Sequence, residues 1–208
     1  MILQFLANGI IGYLLGSVPF GLLVGYLWTG RDIRESGSGK TGTTNVLRTA
    51  GKIPAALVLA GDISKGAGPA LIGRFVFHDD GVAAFGAACA LVGHVWPVFA
   101  GFRGGRGVAS AYGGVLGLTP LLSLLFPLIG LSLIVPTRIV SLMSVVGVPL
   151  SSLLVVVAAA KFGQPWPFAF YCLFATILVE YKHIPNIRRL FAGTEPRIGQ
   201  GGNRAATG

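Results

Sequence analysis

Residues 1–30 read MILQFLANGIIGYLLGSVPFGLLVGYLWTG, and no position in that run carries a formally charged side chain. At about 1.5 Å per helical residue the run outreaches the roughly 30 Å hydrocarbon core of a bilayer, which predicts a membrane-spanning helix. No basic residue precedes it and no small-x-small cleavage site stands out, so a retained first helix is expected rather than a removable signal peptide. Further runs free of formal charge cover Gly81 to Phe102, Gly107 to Thr137, Ile139 to Ala160 and Phe162 to Val179, each of about spanning length or more. Ile53 to Gly73 is also apolar, but Asp62 and Lys65 interrupt it within Gly61-Asp62-Ile63-Ser64-Lys65-Gly66. Charges at that depth need a partner or a task.

Composition supports the same class. A chain of 208 residues that is 53% hydrophobic and 11% charged, with a mean hydropathy of +0.75, cannot bury its apolar surface in one soluble core. The fold class expected is all-α: a polytopic integral membrane protein of about seven transmembrane helices, some short or re-entrant, forming a single membrane-embedded domain over 1–208. Cys89 and Cys172 both lie inside apolar runs, which gives no support to disulfide, redox or metal chemistry. No cofactor, metal or nucleic acid is expected, and the chain is expected to act as a monomer.

Sixteen Lys and Arg against seven Asp and Glu give a formal charge of +9, concentrated in a few short stretches. Arg31, Arg34, Lys40, Arg48 and Lys52 lie in one connection, and Lys182, Arg188, Arg189, Arg197 and Arg204 follow the last apolar run. Both belong on the cytoplasmic side by the positive-inside bias. His78-Asp79-Asp80 carries no Lys or Arg and is expected outside, with Arg103 and Arg106 inside after the next span. For the tail to end inside, Gly107 to Thr137 must cross twice or turn back on itself, and Pro120 and Pro127 offer the breaks. The N-terminus is then outside and the C-terminus cytoplasmic.

Three cytoplasmic stretches, near 31–52, 103–107 and 180–197, carry the chemistry. The first packs Gly37, Gly39 and Gly42 among Ser36, Ser38, Thr41, Thr43 and Thr44, with cations on either side. Glycines admit positive φ and let successive N–H groups face one anion, while hydroxyls and guanidinium groups add further donors. Gly39-Lys40-Thr41 matches the end of a nucleotide-binding P-loop, but Arg34 occupies the place of its first glycine and no buried strand precedes it, so ATP hydrolysis is not expected. The second stretch, Arg103-Gly104-Gly105-Arg106-Gly107, again sets exposed backbone donors between two permanent cations. Upstream, His94 among Val and Trp reads as a hydrogen-bonded structural histidine. In the third, Pro185 suits the first position of a short surface helix whose Ile184, Ile187 and Leu190 face the membrane while His183 and Asn186 project near the interface.

Taken together, Gly16-Ser17-Val18-Pro19-Phe20-Gly21, the loop from Asp32 to Arg48, Gly61-Asp62-x-x-Lys65-Gly66, Gly93-His94 through Gly107, and His183-x-x-Asn186-Ile187 with Gly193-Thr194-Glu195 resemble the bacterial acyl-phosphate-dependent glycerol-3-phosphate acyltransferases, the PlsY family. The resemblance runs in order over nearly the whole chain. It implies transfer of a fatty acyl group from acyl phosphate to the 1-hydroxyl of glycerol 3-phosphate, giving lysophosphatidic acid and phosphate, an early step of phospholipid synthesis in the bacterial inner membrane. It further implies that Ser38, Asn45 and Arg48 serve the first motif, that Arg106 meets a substrate phosphate, and that His183 and Asn186 complete the pocket. Ser38, Arg48, Arg106, His183 and Asn186 are the expected catalytic set. Gly37, Gly39, Lys40, Thr41, Gly42, Thr43, Asn45, Arg103, Gly104, Gly105, Arg138 and Ser141 are expected to bind substrate.

The chain departs from the family pattern at Lys40, where Asn is frequent, at Thr43, where Ala is frequent, and at Arg103 and Arg106, where Lys is frequent. Cationic charge is kept or increased, but a guanidinium contacts phosphate through parallel donors where an ammonium is a point charge. The His-x-x-x-x-Asp pattern of other glycerolipid acyltransferases is absent, since Phe99 and Arg188 stand five residues after His94 and His183. No His–Asp base pair is therefore expected. An organophosphate transporter is the alternative function, disfavoured because no internal repeat is evident and the cations lie in loops on one side. Membrane lipids are the remaining expected partner.

Overall fold

The computed structural model describes residues 1–198; Arg204 of the basic tail lies outside them. Every regular element among the described residues is helical. In chain order they are α1 (Ile2–Gly16), α2 (Phe20–Thr29), α3 (Thr43–Thr49), α4 (Lys52–Phe75), α5 (Asp80–Val95), α6 (Val108–Leu118), α7 (Pro120–Ser123), α8 (Leu125–Thr137), α9 (Val140–Leu142), α10 (Val148–Phe162) and α11 (Trp166–Phe191), with a π turn at Met143–Gly147 before α10. Among the described residues five stretches are long and apolar enough to cross a membrane: Ile2–Thr29, Lys52–Phe75, Asp80–Ala100, Pro120–Thr137 and Val140–Phe162.

The first run is a span made of a broken helix, not one continuous helix. Pro19 cannot donate to the helical ladder, and the chain kinks across Ser17–Pro19 between α1 and α2. Asp62 and Lys65 do not interrupt the second span: α4 runs through both, and the charges are paired inside the bundle. Gly107 to Thr137 divides at Thr119 into α6 and the α7–α8 pair, with Pro120 opening α7 and Pro127 in the first turn of α8. α6, at 11 residues, covers only about half the hydrocarbon thickness. The expected short helix starting at Pro185 is absent; Pro185 lies inside the continuous α11, which carries His183 and Asn186 straight out of the apolar run.

Backbone contact sets the packing. A Cβ at Gly12 or Gly16 would strike the carbonyls of Gly86 and Ala90, so α1 lies directly on α5, while Gly66 and Gly113 bring α4 and α6 equally close. Around this centre α11 packs on α5 and α10, and Leu91, Val95, Tyr171, Ala175 and Val179 share one core. Outward faces such as Leu3, Leu6, Leu131, Val135 and Ile177 remain apolar and exposed, as lipid contact requires.

Candidate active site

The first loop is held by its own side chains. Asp32 accepts from the Arg34 backbone N–H (2.9 Å) and from its guanidinium (2.6 Å at the shortest), and Arg34 donates onward to the Ala100 carbonyl (3.3 Å), tying this loop to the turn before the second. The hydrogen bonds from Arg34 hold the Asp32 carboxyl below its ordinary pKa. Asn45, buried in the first turn of α3, accepts from the Ser38 N–H (2.7 Å) and donates to the carbonyls of Ile33 (2.8 Å) and Ser36 (3.2 Å). Gly37, at φ +63°, passes so close to the Asn45 carboxamide that a Cβ could not fit. Asn45 thus commits both donors and one acceptor position to the loop and places Ser38. Thr41 is buried against α2, where Gly21 meets its carbonyl, whereas Ser38, Gly39, Lys40 and Arg48 are exposed.

The Arg-Gly-Gly-Arg-Gly stretch drapes over the end of α5. Gly105 donates its N–H to the His94 carbonyl (3.3 Å), and side chains at Gly104 or Gly105 would collide with His94. Beneath them lies a contact with no local sequence signal: His94 and Asp62, 32 positions apart, approach to 3.5 Å. Two helices bring the pair together, so no fixed spacing could reveal it. Asp62 also pairs with Lys65 (2.8 Å), which donates to the Val18 carbonyl (2.8 Å) at the α1–α2 break, and Ser110 bonds His94 at 3.0 Å. Ser110 and Asp62 both face Nδ1 of His94, while Nε2 is covered by Gly105. A nucleophile relay needs base and orienting acid on opposite ring nitrogens. The cluster therefore anchors the loop that presents Arg106.

At the end of α11, His183 Nδ1 lies 2.8 Å from the Val179 carbonyl. A carbonyl only accepts, so Nδ1 carries the proton and Nε2 is left as an acceptor. His183 is 2% exposed, and burial, helped by the nearby Arg106 charge, pushes its pKa down to about 4. One turn on, Asn186 Nδ2 donates to Glu195 Oε1 and Arg189 Nε to Glu195 Oε2, each at 2.7 Å. Burial raises the Glu195 carboxyl, but Ser141, Asn186 and Arg189 outweigh it and leave its pKa below the ordinary value. Arg106 is lowered first by burial, then by the like charge of Arg189, with Glu195 opposing and Arg48 adding to the repulsion. Arg138, at φ +58°, contributes its backbone carbonyl, which accepts from the Ile198 N–H (2.7 Å) and pins the tail over this cluster.

Two buried polar atoms of the expected site residues, Thr43 Oγ1 and Asn186 Oδ1, have no hydrogen-bond partner among the described residues, whereas the Ser141 hydroxyl lies against the Glu195 carboxylate. Buried polar groups are ordinarily paired, so each of these two atoms is free to bond water or a substrate group. Arg48, Arg106, His183, Asn186 and Ser141 converge on this point, so residues from all three stretches meet. Gly39, Lys40, Arg103 and Gly104 instead line an adjacent cleft of about 550 Å³ together with Asp32, Arg34, Glu35 and Lys182. Glu195, Arg189 and Lys182 were given no role by the sequence reading. Only Glu195 had a signal, its place in Gly193-Thr194-Glu195. Among the described residues no group of three His, Cys, Asp or Glu could hold a metal ion.

Residues 6–193 match the family described as Glycerol-3-phosphate acyltransferase. A curated relative of that name from Parasynechococcus marenigrum is 43% identical over 91% of this chain and 88% of its own length. Glycerol-3-phosphate acyltransferase 2 from Moorella thermoacetica is 40% identical over 92% of this chain and 96% of its own. Among solved structures, the glycerol 3-phosphate form of PlsY (YgiH), an integral membrane glycerol 3-phosphate acyltransferase, is 39% identical with a TM-score of 0.86, covering 93% of this chain and 94% of that one. The lysophosphatidic acid form of the same protein is 36% identical with a TM-score of 0.83 over the same shares.

Proposed function

We propose a reaction for this site on the premise that the chain belongs to the glycerol-3-phosphate acyltransferase family and is a multi-pass membrane acyltransferase acting on glycerol 3-phosphate. The donor is an acyl phosphate. The 1-hydroxyl oxygen of glycerol 3-phosphate attacks the acyl carbonyl carbon, the bond from that carbon to the phosphate oxygen breaks, and the hydroxyl proton leaves with the phosphate. Lysophosphatidic acid and inorganic phosphate are the products. The observation that carries this reading is the pairing of two acceptors, the His183 Nε2 left by the Nδ1 bond and the unpartnered Asn186 Oδ1, with Arg106 and Arg48: acceptors suit glycerol hydroxyls and guanidinium groups suit phosphate.

The donor is already activated, so alignment and charge neutralisation are the main tasks left to the protein. His183, with a pKa of about 4, is too weak a base to take the proton at neutral pH, and it orients the attacking hydroxyl. Ser38 has no base arranged to activate it, and the Glu195 carboxylate beside Ser141 is already held by Asn186 and Arg189, so both serines serve as binding hydroxyls; Thr43 offers a third. Asn45 and Gly37 shape the loop that delivers Ser38. The whole chain, 1–208, acts as one monomeric domain in the bacterial inner membrane, with the N-terminus outside and α6 counted as a short crossing among seven. The site then faces the cytoplasm, where glycerol 3-phosphate is supplied. No observation favours the transporter. Purified protein supplied with glycerol 3-phosphate should release phosphate with an acyl phosphate and not with an acyl-CoA; turnover with acyl-CoA alone would refute the donor assignment.

A further inference from the structure

Each of the three cytoplasmic stretches contributes cations to two places. Arg48, Arg106 and Arg189 belong with His183, Asn186 and Glu195, whereas Lys40, Arg103 and Lys182 line the cleft of about 550 Å³, which none of the first group touches. The volume suits a small molecule. Within the cleft Asp32 is closed onto Arg34, so Glu35 is the one remaining carboxylate facing three cations. Four cations against two carboxylates leave a formal charge of +2. Lys40, Arg103 and Lys182 form no ion pair with a carboxylate among the described residues. Lys182 lies over the Trp96 ring at 5.4 Å and is close enough to Lys40 to feel its charge. Like charges collected in one concavity raise the local concentration of an anion and are relieved by binding it.

We propose that this cleft is a second, outer anion site that binds a soluble phosphate monoester dianion, glycerol 3-phosphate before it enters the reaction centre, through Lys40, Arg103 and Lys182. The assignment of the substrate rests on the reaction proposed above. A dianion matches the net charge, and Val95 and Phe102 supply an apolar wall for a short carbon stem. The two places are neighbours along the chain: Lys182 adjoins His183, Gly39 and Lys40 follow Ser38, and Arg103 and Gly104 precede Arg106, with successive Cα atoms about 3.8 Å apart. The cleft captures the soluble substrate and hands it to side chains one to three residues away.

Trp96 reports occupancy without turnover. In a Trp28→Phe, Trp166→Phe background in zwitterionic vesicles, inorganic phosphate should change Trp96 emission saturably, while chloride at equal ionic strength should not. Lys182→Gln should weaken the apparent Kd about 5- to 10-fold and raise KM for glycerol 3-phosphate by a similar factor, with kcat within about twofold. Lys182→Arg should restore both. Absence of a saturable change, or an unaltered Kd and KM in Lys182→Gln, would overturn the outer site. If phosphatidylglycerol vesicles produce the emission change with no free phosphate, the occupant is a lipid headgroup and the soluble-ligand assignment falls. The titration decides this even if Arg106→Ala proves fully active, the result that would remove the reaction-centre reading instead.

Discussion

His183→Gln separates two roles that differ by orders of magnitude. The imidazole donates through Nδ1 to the Val179 carbonyl and offers Nε2 to substrate, and with a pKa of about 4 it is protonated to about one part in a thousand at pH 7. As a neutral acceptor toward one glycerol hydroxyl it contributes about 0.5–1.5 kcal/mol, so losing it costs about 2- to 12-fold in kcat. Glutamine keeps an acceptor oxygen, which places the variant toward the lower end. A general base would instead be worth about 10² to 10⁴ in rate. The assay is phosphate release at saturating acyl phosphate and glycerol 3-phosphate from pH 4 to 9. Because the folded pKa lies below the unfolded value near 6.5, the ring takes up protons on unfolding between those limits. Its contribution to stability is therefore full above about pH 6.5 and falls by up to about 3 kcal/mol as pH drops toward 4, a slope that His183→Gln should remove from detergent melting curves. A kcat loss above about 100-fold, with disappearance of a pH limb between 6 and 7, would refute the positioning role.

Arg106→Ala should cost on the order of 2–4 kcal/mol in kcat/KM, and Arg106→Lys should recover part of it; an unchanged Ala variant would reduce this residue to a membrane anchor. Lys65→Met should lower stability by about 3–5 kcal/mol, since it leaves Asp62 charged and buried, and replacing both residues by apolar ones should cost less; equal losses in single and double variants by thermal unfolding would argue against a coupled pair. Cysteines placed singly at the exposed positions 40, 103 and 188 in a cysteine-free background should escape an impermeant thiol reagent in intact cells and react in inverted vesicles. Labelling of position 188 from outside would refute the proposed crossing count. Rapid quenching during turnover should trap no labelled acyl group on Ser38 or Ser141, and a trapped adduct would refute direct transfer.

What the amino-acid sequence determined by itself is whatever follows from local composition. Runs of uncharged residues specify membrane helices because the bilayer penalises each charge and each unpaired backbone group independently of the rest of the chain. Glycine, hydroxyl and guanidinium groups within one short loop similarly announce anion binding, and Pro120 marked the division of Gly107 to Thr137. Proline misled at Pro19, inside an expected continuous span, and at Pro185, expected to start a helix, because neighbouring contacts decide whether a helix breaks or carries a missing donor. Only the tertiary structure decided what depends on several helices at once. It joined His94 to Asp62 across 32 positions, made Asn45 a brace of its own loop, brought Glu195 back onto Asn186 and Arg189, and parted the cations of three stretches between the Glu195 cluster and the neighbouring cleft. Hydrogen bonds and ion pairs act over a few ångströms, and which side chains come that close is settled by the backbone contact of α1 with α5 and of α4 with α6.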